Sequence, residues 1–253
     1  MQWFYHIWQH PPFNQLARFG FEQLEDWPDC EYLNRLSDFS QRFVAQQDLV
    51  DESDYYEQII FRRHIIPTRM QNWHDLFNAC IWLNFPLSKA ELNRQHMQDI
   101  NQFGLNPRTP RRNRITHFDE CGVLLAYSDE HIPALLRERQ WKQAFVDCRQ
   151  QWGGQVDAVL FGHANYEMLL QPFIGLTGKF LGLRVSEQYW SADWQQKCKI
   201  LDNALLEQLE HNVLADKNSL SPLPLLGIPD WYEQNQHAEF YQNKNYFMPK
   251  PKR

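Results

Sequence analysis

The segment that constrains this chain most runs from Ile65 to Pro86, IIPTRMQNWHDLFNACIWLNFP. Placed on a helix that advances about 100° per residue, Leu83, Leu76, Cys80, Trp73, Phe77 and Ile81 cover one broad apolar arc. The opposite arc carries His74, Asn78 and Asp75 around the indole of Trp82, where a surface helix would carry Glu, Lys or Gln. Both faces are therefore expected to be buried or to line a cleft. A buried polar group without a partner costs about 1–3 kcal/mol, so these side chains need partners. Asn72 suits an N-cap, and Asp75 at the third helical position suits a capping-box-like exchange with it. His74 and Asn78, one turn apart, do not reduce to caps.

The rest of the chain reads as mostly helix with a little sheet. With 253 residues, 43% hydrophobic and ten Trp, it can bury a large core. No repeat or Gly/Ser linker divides it, so one domain over 1–253 is expected, with a helical N-terminal region over 1–50. Ser88 and Glu91 form a capping-box pattern that starts a helix over SKAELNRQHMQDINQF. VDAVLFG is a short buried strand, HANYEMLLQPF a helix stopped by Pro172, and DWQQKCKILDNALLEQLEHNVL a long amphipathic helix. DYYEQIIFRRHIIP fits an edge strand or a helix. ITHFDECGVLLAYS reads as a β-hairpin turning at Cys121–Gly122. The stretch 218–253 is Pro-rich and is expected to wrap the domain as an extended tail. The fold class is α+β, a small mixed sheet plus a hairpin, with an irregular α/β arrangement as the alternative.

Net charge and cysteine spacing exclude several function classes. A formal charge of −6 argues against a general nucleic-acid or membrane binder. The five Cys are odd in number and widely spaced, so neither a disulfide framework nor a Cys-based zinc site is suggested. The opening MQWFYHIWQHPPF lacks the basic and apolar blocks of a signal peptide, and no run is long enough for a membrane span. A cytoplasmic protein is expected. The run Arg108, Arg111, Arg112, Arg114 lies among prolines and reads as an exposed loop or a phosphate contact.

Four further features point to a site. His96 falls on the apolar face of its helix with Asn93 beside it. Asp119 and Glu120 are adjacent carboxylates that a regular strand would send to opposite faces. In VLFGHANYE, His163 stands at the carboxyl end of a strand, and Glu167 follows at helical spacing. Such a pair can supply two metal ligands or an orienting His–carboxylate contact. Arg69, just ahead of the Asn72 helix, is placed to hold an anion. No Walker A, GxGxxG, GxSxG or HExxH pattern occurs.

IPTRMQNWHDLFNACIWLNFP, LNRQH, THFDECG, FGHANYE and PLPLLGIPDW, in that order, resemble the bacterial family known as domain of unknown function 3025. The resemblance spans roughly residues 55 to 247. It implies a set of signature residues: Arg69, Asn72, His74, Asp75, Asn78, Asn93, His96, Asp119, Glu120, His163 and Glu167. The chain departs from the family pattern at Cys121, where Asn is usual, and at Asp230, where Gly is usual. The resemblance implies no established activity.

Three readings follow. The first is a hydrolase-like enzyme with His163, Glu167, His74 and Asp75 as catalytic groups. In it, His74, His163 and Glu167 hold a divalent metal, or His163 acts as a base oriented by Glu167. Arg69, Asn72, Asn78, Asn93, His96, Asp119 and Glu120 would line the ligand site, with a small anionic ligand on Arg69. The second is a non-catalytic module that binds a small ligand or a peptide. The third is a structural or regulatory protein whose buried polar groups only fix the fold. The single-metal version requires His74 and His163 within about 10 Å, given ligand bonds of roughly 2 Å.

Overall fold

Backbone capping and aromatic stacking decide where the chain turns in the computed structural model, which describes residues 2–49 and 54–251. The N-terminal region is a series of 3-10 turns over Tyr5–Gln9, Phe13–Phe19 and Phe21–Gln23, followed by α1 (Cys30–Leu36). Next come β1 (Arg42–Ala45), α2 (Tyr56–Arg63) and β2 (Ile65–Thr68). The ambiguous stretch DYYEQIIFRRHIIP is thus both a helix and a strand, divided at His64 in the left-handed conformation (φ 55°). β1 and β2 pair in parallel, with Phe43 opposite Ile66.

α3 (Trp73–Asn84) starts where Asn72 accepts the backbone N–H of Asp75 at 3.1 Å. Its burial matches the two-faced pattern.

 That is, Leu76 through Asn84 are all buried, and only His74 and Asp75 in the first turn keep partial exposure. A stack fixes the helix in place. Trp73 lies on Trp3 (5.1 Å between ring centroids) and on Phe77 (5.4 Å), and Phe77 lies in turn on Tyr166 (5.2 Å).

α4 (Pro86–Phe103) does not start at the expected Ser88–Glu91 box. Pro86 occupies its first turn, where a missing N–H costs nothing. The free N–H groups of Leu87 and Ser88 donate to the Asp202 carboxylate at 3.0 and 2.9 Å. Glu91 instead accepts from Arg94 and Gln95.

The expected β-hairpin is absent: ITHFDEC belongs to α5 (Pro110–Cys121). Thr109 accepts the N–H of Arg112 at 3.1 Å, Pro110 presets the first turn, and Arg112, Ile115 and Phe118, at intervals of three, are the fully buried positions. From Arg111 onward the basic run is therefore helical and committed internally, while Arg108 stays in the exposed loop before it. Arg111 pairs with Asp99, Arg112 donates to the Leu105 carbonyl, and Arg114 to that of Leu214. The helix passes directly at Gly122 into β3 (Gly122–Tyr127), and α6 (His131–Arg137) follows.

The remaining elements are β4 (Val156–Leu160), α7 (His163–Leu169), β5 (Thr177–Arg184), α8 (Glu187–Ser191), α9 (Trp194–Glu210) and β6 (Ser221–Pro224). The main sheet has the order β4-β3-β5-β6, with β3 parallel to β5 and antiparallel to β4. Val123–Ala126 at its centre is fully buried, as expected of a strand covered on both faces. With helices surrounding a small mixed sheet, the fold is α+β.

Beyond β6 the chain makes further 3-10 turns, and the Tyr246 hydroxyl ties it back by donating to the Leu176 carbonyl at 2.6 Å. Asp230, where the resembled pattern has Gly, sits at φ 68°. Its carboxylate accepts from Arg149 and Gln236, which offsets the cost of a side chain in that conformation. Among the described residues no helix is long and apolar enough to cross a membrane.

Candidate metal centre

Three helix ends meet at one point. Gly162, between β4 and α7, donates its N–H to the Gly122 carbonyl at 2.7 Å. A side chain at Gly162 would overlap the Glu120 carbonyl and the Gly122 amide, so this close approach needs glycine. The contact sets the last turn of α5, with Glu120, against the first turn of α7, with His163. The Phe77–Tyr166 stack then lays α3 on α7, which brings in His74.

The resulting geometry is tight. His74 Nε2 and His163 Nε2 are 3.0 Å apart, His163 Nε2 and Glu120 Oε2 3.4 Å, and His74 Nε2 and Glu120 Oε2 3.9 Å. Donor atoms about 2.0–2.1 Å from a tetrahedral ion lie about 3.3 Å from one another. The triangle therefore has the dimensions of a shared first coordination shell. Among the described residues, these three form the one group of His, Cys, Asp or Glu close enough to hold an ion.

Glu167 occupies a different place from the one expected. It was to be a ligand beside His163, but its Oε2 meets His74 Nδ1 at 2.9 Å. The imidazole oriented by Glu167 is thus His74, and the third donor beside the two Nε2 atoms is Glu120. An ionised carboxylate only accepts, so the proton of a neutral His74 sits on Nδ1 and the Nε2 lone pair faces the triangle. Burial pushes His163 down to about 3, with the Asp119 carboxylate acting in the opposite direction.

Asp119 and Glu120 were expected to face opposite ways on a strand. On a helix, neighbours stand about 100° apart, and both reach the same cleft. Burial works against ionisation of Asp119, but the Lys89 ammonium outweighs it and holds the carboxyl below its usual range. Burial raises Glu120, and the charges of Asp119 and Glu167 add to the effect. Lys89 is only 5% exposed, and it also donates to Asn78 Oδ1 at 3.0 Å. Asn78 Nδ2 in turn donates to the Tyr56 hydroxyl at 3.0 Å. Lys89 and Tyr56 were not singled out from sequence. The signal for Lys89 was its place three residues before Leu92 and seven before His96, on the apolar side of α4.

The cleft measures about 560 Å³ and runs from the triangle past Asn78 and Asp119 to His96. Arg69 and Asp75 also line it, but they neutralise each other. The Asp75 carboxylate takes the Arg69 guanidinium at 2.7 Å and its backbone N–H at 2.6 Å. Arg69 therefore does not present a free anion clamp, and Asp75 does not complete a box with Asn72. Two expected ligand-binding residues face elsewhere. Asn72 is the cap of α3, and Asn93 is bonded to Glu57.

An α+β fold built around a cleft with two histidines and a carboxylate at one end defines the class of protein. The family model described as protein of unknown function (DUF3025) matches residues 41–251, and the chain belongs to that family. Comparison with curated proteins and with solved structures finds no match.

Proposed function

We propose that this protein is a metal-dependent hydrolase in which His74, His163 and Glu120 hold one divalent cation, zinc. The observation that carries the reading is the triangle of two Nε2 atoms and one carboxylate oxygen, backed by Glu167 on the far nitrogen of His74. Two imidazoles and a carboxylate are a hydrolytic donor set, whereas structural zinc sites close with four protein ligands. A carboxylate behind a ligating histidine fixes its tautomer and raises its basicity.

Zinc held by three protein donors supplies Lewis acidity and lowers the pKa of a bound water to about 7. The chain's own residues do the rest. His163 contributes a buried neutral nitrogen, Glu120 a charge that offsets the ion, and Glu167 the orientation of His74. His74, Glu120 and His163 all line the cleft, so a metal held by them would be open to a substrate bound there. Asp119, held by Lys89, keeps a second carboxylate in the same wall.

The test is elemental analysis of untagged, chelator-free protein beside His163→Ala and Glu120→Ala, followed by a hydrolase screen of the loaded form. Near-stoichiometric zinc that is lost in both variants, with hydrolysis that a chelator abolishes, is the expected result. Metal-free protein that folds normally and takes up no zinc would overturn the metal reading. Iron in place of zinc would overturn the hydrolytic one, because the same donor set also suits non-haem iron.

A further inference from the structure

The far end of the cleft, away from the triangle, holds polar groups that the proposed hydrolysis does not use. Glu57, in the first turn of α2, is 16% exposed at its side chain. Its Oε2 accepts from Asn93 Nδ2 at 2.6 Å, a neutral amide. Its Oε1 stands 3.9 Å from His96 Nε2, past hydrogen-bond reach. His96 is 4% exposed, its buried Nδ1 has no partner among the described residues, and its ring lines the cleft beside Glu57.

Most donors nearby are already engaged. Lys89 is bonded to Asp119 and Asn78, and it lies 5.5 Å from the Trp82 ring centre. Arg112 is fully buried and donates through Nη1 to the Leu105 carbonyl, while its Nε has no partner among the described residues. Arg108, at the rim, donates to the Tyr55 hydroxyl. Burial, assisted by Arg112 and Arg108, keeps His96 below its usual range and so uncharged. What this end offers a ligand within the cleft is the Glu57 Oε1 atom, which no hydrogen bond engages among the described residues, and the imidazole beside it. A second metal ion is not the complement, because the only preformed three-donor group among the described residues is the triangle.

We propose that the Glu57–His96 end of the cleft is a recognition subsite for a basic nitrogen, an ammonium or guanidinium, on the molecule whose other end meets His74, His163 and Glu120. The inference rests on the reading of that centre as the reactive end. A protonated nitrogen would donate to Glu57 Oε1 and to His96 and would neutralise a carboxylate that now has only an amide for a partner. This differs from the anionic ligand expected on Arg69, whose charge Asp75 already meets.

The experiment is isothermal titration of the zinc-loaded full chain with agmatine, which carries a guanidinium and an ammonium on a four-carbon chain, and separately with inorganic phosphate. Wild type is compared with Glu57→Gln, and zinc content and melting temperature are read for each protein. Agmatine is expected to bind wild type and to lose about tenfold or more in affinity in Glu57→Gln, with zinc unchanged. If Glu57→Gln unfolds, His96→Gln serves as the second variant with the same expectation. Equal binding by wild type and variant, no binding of agmatine, or binding of phosphate alone would overturn the subsite. Agmatine bound by a protein that takes up no zinc would sink the metal reading and leave the subsite standing. Zinc retained without agmatine binding does the reverse.

Discussion

Gly162 and Glu120 meet with no room between them: the Cα of one lies against the backbone carbonyl of the other. That contact sets how far α5 stands from α7, and so how far Glu120 stands from His163. Gly162→Ala should force the two helix ends apart, at a cost of about 1–3 kcal/mol for overpacking. The expected outcome is a lowered melting temperature together with weakened zinc retention. A variant that melts and binds zinc like wild type would show that the spacing is not set there.

Glu120 and Glu167 are expected to separate in a zinc-competition assay with a chromophoric chelator. Glu120→Ala removes a donor and should abolish tight binding. Glu167→Ala removes only the partner of His74 Nδ1, and its expected cost is about 10–100-fold in affinity. Glu167→Gln keeps an acceptor oxygen and should fall between Glu167→Ala and wild type. The reverse order would reassign the third ligand to Glu167.

Lys89 and Asp119 form a pair in which neither charge is well exposed. Lys89→Met leaves Asp119 uncompensated and should destabilise the fold by about 3–5 kcal/mol. Lys89→Met combined with Asp119→Asn should recover a large part of that loss. Denaturant melts of the two singles and the double would measure the coupling. Additive losses would mean that the pair contributes little as a pair.

Asp202 gives a pH dependence of definite sign. Burial raises its pKa above the ordinary carboxylate value of 3.8, even though Ser88 and Leu87 donate to it. Between 3.8 and the folded value, the native state binds more protons than the unfolded state. The contribution of Asp202 to stability is therefore fully present below 3.8 and is lost as pH rises through the folded pKa. Asp202→Asn should lack that slope, so the stability of wild type minus that of the variant should fall with rising pH. Melts of both proteins from acid to neutral pH would check it, and a difference that rises or stays flat would contradict it.

Much of the fold was legible from local chemistry. The two-faced character of α3, the buried strand before His163, and α9 with its Asp193 cap all follow from periodicity and capping residues. The failures have different causes. Ile115, Phe118 and Cys121 recur at helical spacing behind the Thr109 cap and Pro110, a local signal that the hairpin reading passed over. Misreading that segment sent Glu120 to the wrong face and left Glu167 in its place beside the two histidines. The Ser88–Glu91 pattern was locally sound, but Asp202, more than a hundred residues later, takes the N–H groups it would have served. Arg69 looked like a free cation because nothing in the sequence reveals that Asp75 reaches back to it.

The Asp202 contact with the start of α4 also sets an order of events on the ribosome. Leu87 precedes its acceptor by 115 residues. At about 5–20 residues per second, the acceptor is made about 5–20 s after the helix it caps. For that interval α4 leaves the tunnel with its first amides facing water. A shorter delay covers the proposed metal centre, because His74 precedes His163 by 89 positions. A nascent chain halted before α9 would carry every donor of the centre and lack the cap of the helix that bears Lys89.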